Sequence, residues 1–315
     1  MMTRTEVAQF LQEQDHFCIL THRRPDGDTL GTAATLCRGL RQLGKTAHVL
    51  ENPEVTAKYQ PLMAGLTKGA AGEDDVLICV DVASAGMLPT AFSPLTDRIS
   101  LRIDHHSTAD SFTPRELVEP LSGACAEIVY GVLQILGFSL DRETAEALYT
   151  AVSTDTGCFR YSNTTGNTLR VAADCVDAGA DTPRINRELF DTNSYGRLRV
   201  QGWMTENTKF FRDGKFALCA IPSAVEKQLG ATEDDLENIS GFPRSIEGVC
   251  MAATLREAAE GGVKVSVRAI PGYDAAAVCA KFGGGGHKGA AGASLDKPLE
   301  EAARMMEQAM LECVL

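Results

Sequence analysis

Short apolar runs alternate with longer stretches of helical periodicity through the first half of the chain. The runs FCIL, TAHVL, VLICV and ISLRI are strand-sized, and TLGTAATLCRGLRQLG, ACAEIVYGVLQILG and ETAEALYTAVS place apolar residues at helical spacing. Strands that read as unbroken apolar runs are buried on both faces, and their alternation with helices predicts a doubly wound, mainly parallel α/β sheet. From about Thr182 to Phe211 the pattern turns polar and helical. It restarts with KFALCAI, GVCMAATLRE and KVSVRAI, followed by helical DAAAVCAKF and PLEEAARMMEQAMLECV. The expectation is an α/β domain over 1–185, a helical connector over 186–211 and a smaller mixed α/β domain over 212–315.

Polar clusters follow three of the predicted strands. HRRPDGD, with His22, Asp26 and Asp28, comes just after FCIL; Asp81 ends VLICVD; Asp104, His105 and His106 end ISLRIDHH. Sites in parallel sheets lie beyond the carboxyl ends of strands, so these groups emerge at one edge. Asp155, in STDTG, joins them from the end of a helical run. Imidazole and carboxylate together suit first-row divalent ions, manganese first, and the lack of cysteine in these clusters disfavours structural zinc. An aspartate standing alone after a strand, as Asp81 does, can bridge two ions that activate a water and neutralise a phosphoryl oxygen. The competing account makes the aspartates turn residues and helix caps, since Asp28 precedes a helical run and Asp155 sits beside Thr and Gly. Five such aspartates, with adjacent histidines, after three successive apolar runs favour the metal.

A second candidate is the run Gly283 to Gly286, followed by His287 and Lys288. Backbone N–H groups without side chains can approach a phosphate closely, so Gly285, Gly286 and His287 are candidate substrate-binding residues; the alternative is a linker or tight turn. Ser266 and Arg268 share one face of the predicted strand KVSVRAI.

Composition narrows the partners. With 315 residues and 44% apolar content the chain can bury a sizeable core. A formal charge of −12 argues against a long grip on duplex nucleic acid, which draws on many Lys and Arg contacts, but not against short phosphorylated substrates. The ten cysteines contain no CxxC pair and mostly sit inside apolar runs, as reduced core residues of a cytoplasmic protein would. No apolar run approaches a membrane span, and charges interrupt the amino terminus, so neither a membrane segment nor export is expected.

HRRPDGD, the isolated Asp81, Asp104-His105-His106 and STDTG, in that order and followed by GGGGHKGAAG, resemble the DHH phosphoesterases with a DHH-associated second domain, most of all the nanoRNase and pAp phosphatase type. The likeness covers nearly the whole chain. It implies one ion held by His22, Asp26 and Asp81 and another by Asp28, Asp81, His105 and Asp155. Asp104 would orient a histidine, and His106 would face the phosphate. Arg268 resembles the family's substrate-contacting arginine, and FRYSNTT (159–165) looks like loop scaffolding near the site. The implied activity is a dimanganese phosphohydrolase that degrades very short single-stranded RNA to 5'-nucleoside monophosphates and dephosphorylates 3'-phosphoadenosine 5'-phosphate, with the second domain holding the substrate across a cleft. A homodimer is implied by resemblance only. The alternatives are a phosphodiesterase for cyclic dinucleotides or their linear products and a nucleotide-binding regulator without catalysis.

Overall fold

The computed structural model describes residues 1–107, 110–236, 239–258 and 261–313. It divides into two compact units, Met1–Thr192 and Asn193–Leu315, so the boundary falls inside the polar stretch between the two apolar patterns.

The first unit is built on a six-stranded parallel sheet. Its strands are β1 (Phe17–Leu20), β2 (Ala47–Leu50), β3 (Thr67–Lys68), β4 (Val76–Val80), β5 (Ile99–Asp104) and β6 (Glu116–Val118), in the order β3-β2-β1-β4-β5-β6. The order reverses between β1 and β4, and such a switch point opens a crevice at the carboxyl ends of the two strands. His22 and Asp81 stand there. Helices α1 (Arg4–Glu13), α2 (Gly27–Gln42), α3 (Cys125–Ile135), α4 (Arg142–Asp155) and α5 (Gly166–Asp177) bury apolar side chains in one cluster with Phe17, Ile19, Ile78, Val80, Leu101 and Ile103. Each fully buried Leu, Ile or Phe contributes roughly 1.5–3 kcal/mol. The opposite face, with Cys18, Leu20, Leu77 and Cys79, is closed by Phe92 from a short 3-10 segment and by Leu88, which follows another. Pro94 inside TAFSPLTDR explains why no α-helix forms there. A further helix, α6 (Thr182–Asn186), closes this unit, with Ile185 in its core.

Two glycines set how closely α2 meets α4. A Cβ on Gly27 would lie 2.4 Å from Thr154 Oγ1, and one on Gly31 would lie 2.5 Å from the Ala147 carbonyl oxygen. The G-x-x-x-G spacing of GDTLG thus lets two backbones touch, and α4 ends at Asp155.

The second unit carries α7 (Tyr195–Asn207), β7 (Lys209–Phe211), β8 (Phe216–Ile221), α8 (Ser223–Leu229), α9 (Glu233–Leu236), β9 (Met251–Glu257), β10 (Val263–Ala269), α10 (Ala275–Ala280), β11 (Gly285–His287), β12 (Ala290–Leu295) and α11 (Leu299–Glu312). Its mixed sheet runs β11-β12-β10-β9-β8-β7, parallel only between β8 and β9. Val263, Val265 and Val267 alternate into a core with Met306 and Met310 of α11, and the intervening Lys264, Ser266 and Arg268 take the other face.

Part of the glycine run, the candidate for substrate binding, is strand rather than linker or tight turn. Gly285 to His287 form an edge strand on β12. Gly286 has φ +142, and a Cβ there would lie 2.6 Å from the Ala290 carbonyl oxygen; one on Gly284 would lie 2.2 Å from that of Gly292. Close approach of two backbones therefore accounts for glycine at both positions. Glycine and alanine have low strand propensity, which is why periodicity did not disclose β11 and β12.

Candidate metal centre

The eight polar residues of the first unit converge at the switch point. Asp26 is the N-cap of α2, accepting from the Thr29 N–H at 3.1 Å, and Asp28 lies in the helix's first turn. Asp81 leaves β4 with φ +58, a left-handed backbone that costs an aspartate less than a bulkier residue. Asp104 ends β5, His105 and His106 follow it, and Asp155 ends α4. The turn-and-cap account thus holds for Asp26, but it does not explain why Asp81 and Asp155 meet histidines at the same place.

Each histidine is aimed by a partner on Nδ1. His22 Nδ1 donates to the Arg23 carbonyl at 2.7 Å, and His105 Nδ1 to the Ser122 carbonyl at 3.1 Å. A carbonyl only accepts, so in the neutral ring each Nε2 carries a lone pair. Those lone pairs face carboxylates. His22 Nε2 lies 3.6 Å from Asp81 Oδ2 and 3.9 Å from Asp26 Oδ1; His105 Nε2 lies 3.5–3.7 Å from Asp81 Oδ1, Asp28 Oδ2 and Asp155 Oδ2. Lone pair against carboxylate repels unless a proton or a cation lies between them.

Three overlapping sets of donor atoms, each within 4.8 Å of one another, result: His22 with Asp26 and Asp81, Asp28 with His105 and Asp155, and Asp81 with His105 and His106. Asp81 is 3% exposed and belongs to two of them, with Oδ2 toward His22 and Oδ1 toward His105. Oδ2 accepts from Thr29 Oγ1, whereas buried Oδ1 has no hydrogen-bond partner among the described residues. An orphaned buried carboxylate oxygen is costly, and a metal ion is the partner that this donor set fits.

The protonation equilibria register the same crowding. Burial and then Asp81 push the Asp28 carboxyl well above its usual range, although the Cys125 and Ala126 N–H groups at the start of α3 donate to it. Burial, with Asp81 adding and His105 opposing, pushes Asp155 up to about 7. Burial alone would lower both imidazoles, but Asp81 and its neighbours push His22 up to about 9 and His105 up to about 11. Asp81 is held far below the usual carboxylate range: burial opposes this, and His105 and His22 outweigh it. Without an ion, protons on the imidazoles balance the carboxylates.

Asp104 and His106 form a separate pair. Asp104 Oδ1 accepts from His106 Nδ1 at 2.7 Å and from the backbone N–H of His105 at 2.8 Å and of His106 at 3.3 Å. One carboxylate therefore sets both the turn of the loop and the ring of His106, leaving Nε2 uncommitted to Asp104.

Pattern reading missed the residues that hold these groups. Asn163, in the stretch expected as scaffolding, donates to Asp155 Oδ2 at 3.2 Å and to the Gly123 carbonyl at 2.9 Å. Thr32 donates to Asp28. Arg102 is 1% exposed; it reaches Glu116 at 3.2 Å and the Ala83 carbonyl at 3.0 Å, and lies 3.8 Å from Asp104. An arginine inside the apolar run ISLRI was the available signal, since charged residues are rarely fully buried unpaired.

The four remaining candidates lie in the second unit. Arg268, Ala290 and His287 are lateral partners across β10, β12 and β11, so Arg268 and His287 share a face with a small residue between them. Gly285 pairs with Gly292 in the same way, and Gly286 with Ala291.

Residues 16–152 match the DHH family, N-terminal domain, and residues 214–313 match the DHHA1 domain. The bifunctional oligoribonuclease and PAP phosphatase NrnA of Thermus thermophilus is 33% identical over 285 residues, covering 88% of this chain and 83% of that protein. The chain belongs to the DHH family of phosphoesterases. The protein of the same name from Bacillus subtilis is 23% identical over 297 residues, 93% of each chain. Among solved structures, an exopolyphosphatase-related protein from Bacteroides fragilis matches with a TM-score of 0.85 at 26% identity, covering 98% of this chain and 95% of that one. DHH enzymes are metal-dependent, in keeping with the clusters around Asp81. Among the described residues no helix is long and apolar enough to cross a membrane.

Proposed function

We propose that this chain hydrolyses very short oligoribonucleotides to 5'-nucleoside monophosphates and 3'-phosphoadenosine 5'-phosphate to AMP, with two divalent ions, manganese first. The observation that carries the reading is Asp81, whose two oxygens face two different histidines in two donor sets. His22, Asp26 and Asp81 would hold one ion, and Asp28, Asp81, His105 and Asp155 the other. Bound ions would supply the positive charge that activates a water and neutralises a phosphoryl oxygen. Four ligand carboxylates against two divalent ions leave the pocket close to neutral before substrate arrives.

The protein's own groups do the rest. Burial opposes a charge on His106, but its hydrogen bond to Asp104 and the nearby Asp81 raise its pKa, so a protonated His106 can donate from Nε2 to a phosphoryl oxygen. Asp104 keeps that ring in one orientation, and Asn163 does the same for the Asp155 carboxylate. We assign the rest of the substrate to Arg268, His287 and the backbone around Gly285 and Gly286 in the second unit. A compact group of this kind suits a substrate of few phosphates, as the net charge of −12 also does.

The test is release of phosphate and mononucleotide from a diribonucleotide, 3'-phosphoadenosine 5'-phosphate, a cyclic dinucleotide and pyrophosphate, with manganese and with chelator. Manganese-dependent release from the first two is expected, abolished in a folded Asp81→Ala variant. Release mainly from the cyclic dinucleotide or pyrophosphate would overturn the substrate assignment, and turnover surviving Asp81→Ala would overturn the site.

A further inference from the structure

Away from the switch point, on the face of the parallel sheet turned from the helices, lies another group of donor atoms. Cys18 and His48 are lateral partners on β1 and β2, and Asp75 immediately precedes β4, two residues before Leu77, the partner of Cys18 on the other side. Strand alternation therefore puts all three side chains on one face, and their donor atoms lie within 4.8 Å of one another. His48 is 2% exposed, yet neither ring nitrogen has a hydrogen-bond partner among the described residues. Asp75 Oδ2 comes to 3.4 Å of His48 Nε2 without making one, held instead by the Gly72 N–H at 2.7 Å. Cys18 is fully buried beside them.

A buried imidazole with two unpaired nitrogens demands an explanation, because a buried polar group without a partner forfeits the hydrogen bonds water would give it. We propose that Cys18, His48 and Asp75 bind a divalent transition-metal ion, zinc by preference, which ties the amino ends of β1, β2 and β4. Cys18 would then be an exception to the reading of the cysteines as reduced core residues. Sulfur, nitrogen and oxygen together are a zinc donor set rather than a magnesium or manganese one. Ligand bonds of roughly 2.0–2.3 Å place donors in a tetrahedral site about 3.3–3.8 Å apart, so small side-chain movements suffice. The charges close as well: one thiolate and one carboxylate neutralise a divalent ion, and the imidazole stays neutral. The thiol proton leaves to solvent as the ion binds, against burial and then Asp75, which push the Cys18 thiol up to about 12 with Arg98 and Lys68 opposing them. The Gly72 N–H on Asp75 is the kind of outer support that ligating carboxylates carry.

This site differs from the centre around Asp81 in one spectroscopically decisive respect: it alone contains sulfur. The full-length protein, stripped with chelator, would be titrated with cobalt(II) alone and followed by absorption. A near-ultraviolet thiolate-to-cobalt charge-transfer band is expected in the wild type. It should vanish in Cys18→Ala, weaken in Asp75→Asn and persist in Cys79→Ala, which removes a neighbouring buried thiol. Cobalt held by the histidine and aspartate groups gives no such band, so the result is independent of activity. Should Cys18→Ala not fold, loss of the band in His48→Gln supports the site equally. A wild type without the band, or a band that survives Cys18→Ala, would overturn the proposal.

Discussion

Arg102 shows how much of the loop proposed to bind metal is decided by a side chain outside it. It is the largest fully buried side chain, and it stands between Glu116 on β6 and Asp104 on β5 while donating to the carbonyl of Ala83, just after Asp81. The loops that carry Asp81 and His105 are thereby tied to one guanidinium. Removing one partner of a buried ion pair leaves the other charge stranded, at a cost of about 3–5 kcal/mol. Arg102→Met is therefore expected to lose that much in urea unfolding, and Arg102→Met with Glu116→Gln to recover part of it. A single variant within about 1 kcal/mol of wild type would show that the pair is not structural. The same scale explains what pattern reading saw and did not see. His22, Asp81 and Asp104 stand out because polar groups directly after apolar runs are unusual. Asn163 and Thr29 do not, because a hydrogen bond to Asp155 or Asp81 leaves no periodic trace.

Between elements, the contact of α2 with α4 positions two of the proposed ligands. Gly31 lets the helices touch, and Asp28 lies in the first turn of α2 while α4 ends with Asp155. In Gly31→Ala the added methyl meets backbone, which cannot rotate away, so a loss of roughly 1–3 kcal/mol is expected, with weaker manganese binding measured by calorimetry. Unchanged metal affinity would mean that the helix contact does not set the Asp28–Asp155 spacing. Gly202, inside α7, makes the opposite case: a Cβ there meets nothing within 4 Å. Gly202→Ala should stabilise by roughly 0.5–1 kcal/mol, since only the backbone entropy of the unfolded chain changes. Strands with β-branched or bulky apolar residues were visible from their runs. Strands β11 and β12, made of glycine and alanine, were not, because their pairing depends on close backbone approach rather than on side chains that favour a pleated surface.

Over the whole molecule, the proton balance at the centre couples metal to stability. An imidazole whose pKa rises on folding adds stability below its unfolded value, near 6.5, and loses it as pH climbs through the folded value, about 9 for His22 and about 11 for His105. Asp155 acts in the same direction, its stabilisation being lost as pH rises from the ordinary carboxylate range through about 7. Metal-free protein should thus melt at a lower temperature at pH 9 than at pH 6.5, and the rise in melting temperature on adding manganese should be larger at pH 9, where fewer protons must be displaced. A manganese effect that shrinks between those pH values would contradict the proton-for-metal exchange. Hydrophobic alternation by itself determined the two α/β patterns and the edge at which polar groups emerge, because burial and strand or helix periodicity act locally along the chain; the resemblance to the family rested on residue identities in short motifs. Which oxygen of Asp81 faces which histidine, what steadies Asp104 and Asp155, and why His48 meets Cys18 and Asp75 were decided only by the tertiary structure. Those relations join residues tens of positions apart whose spacing carries no period, and only strand order and helix packing bring them within a few ångströms.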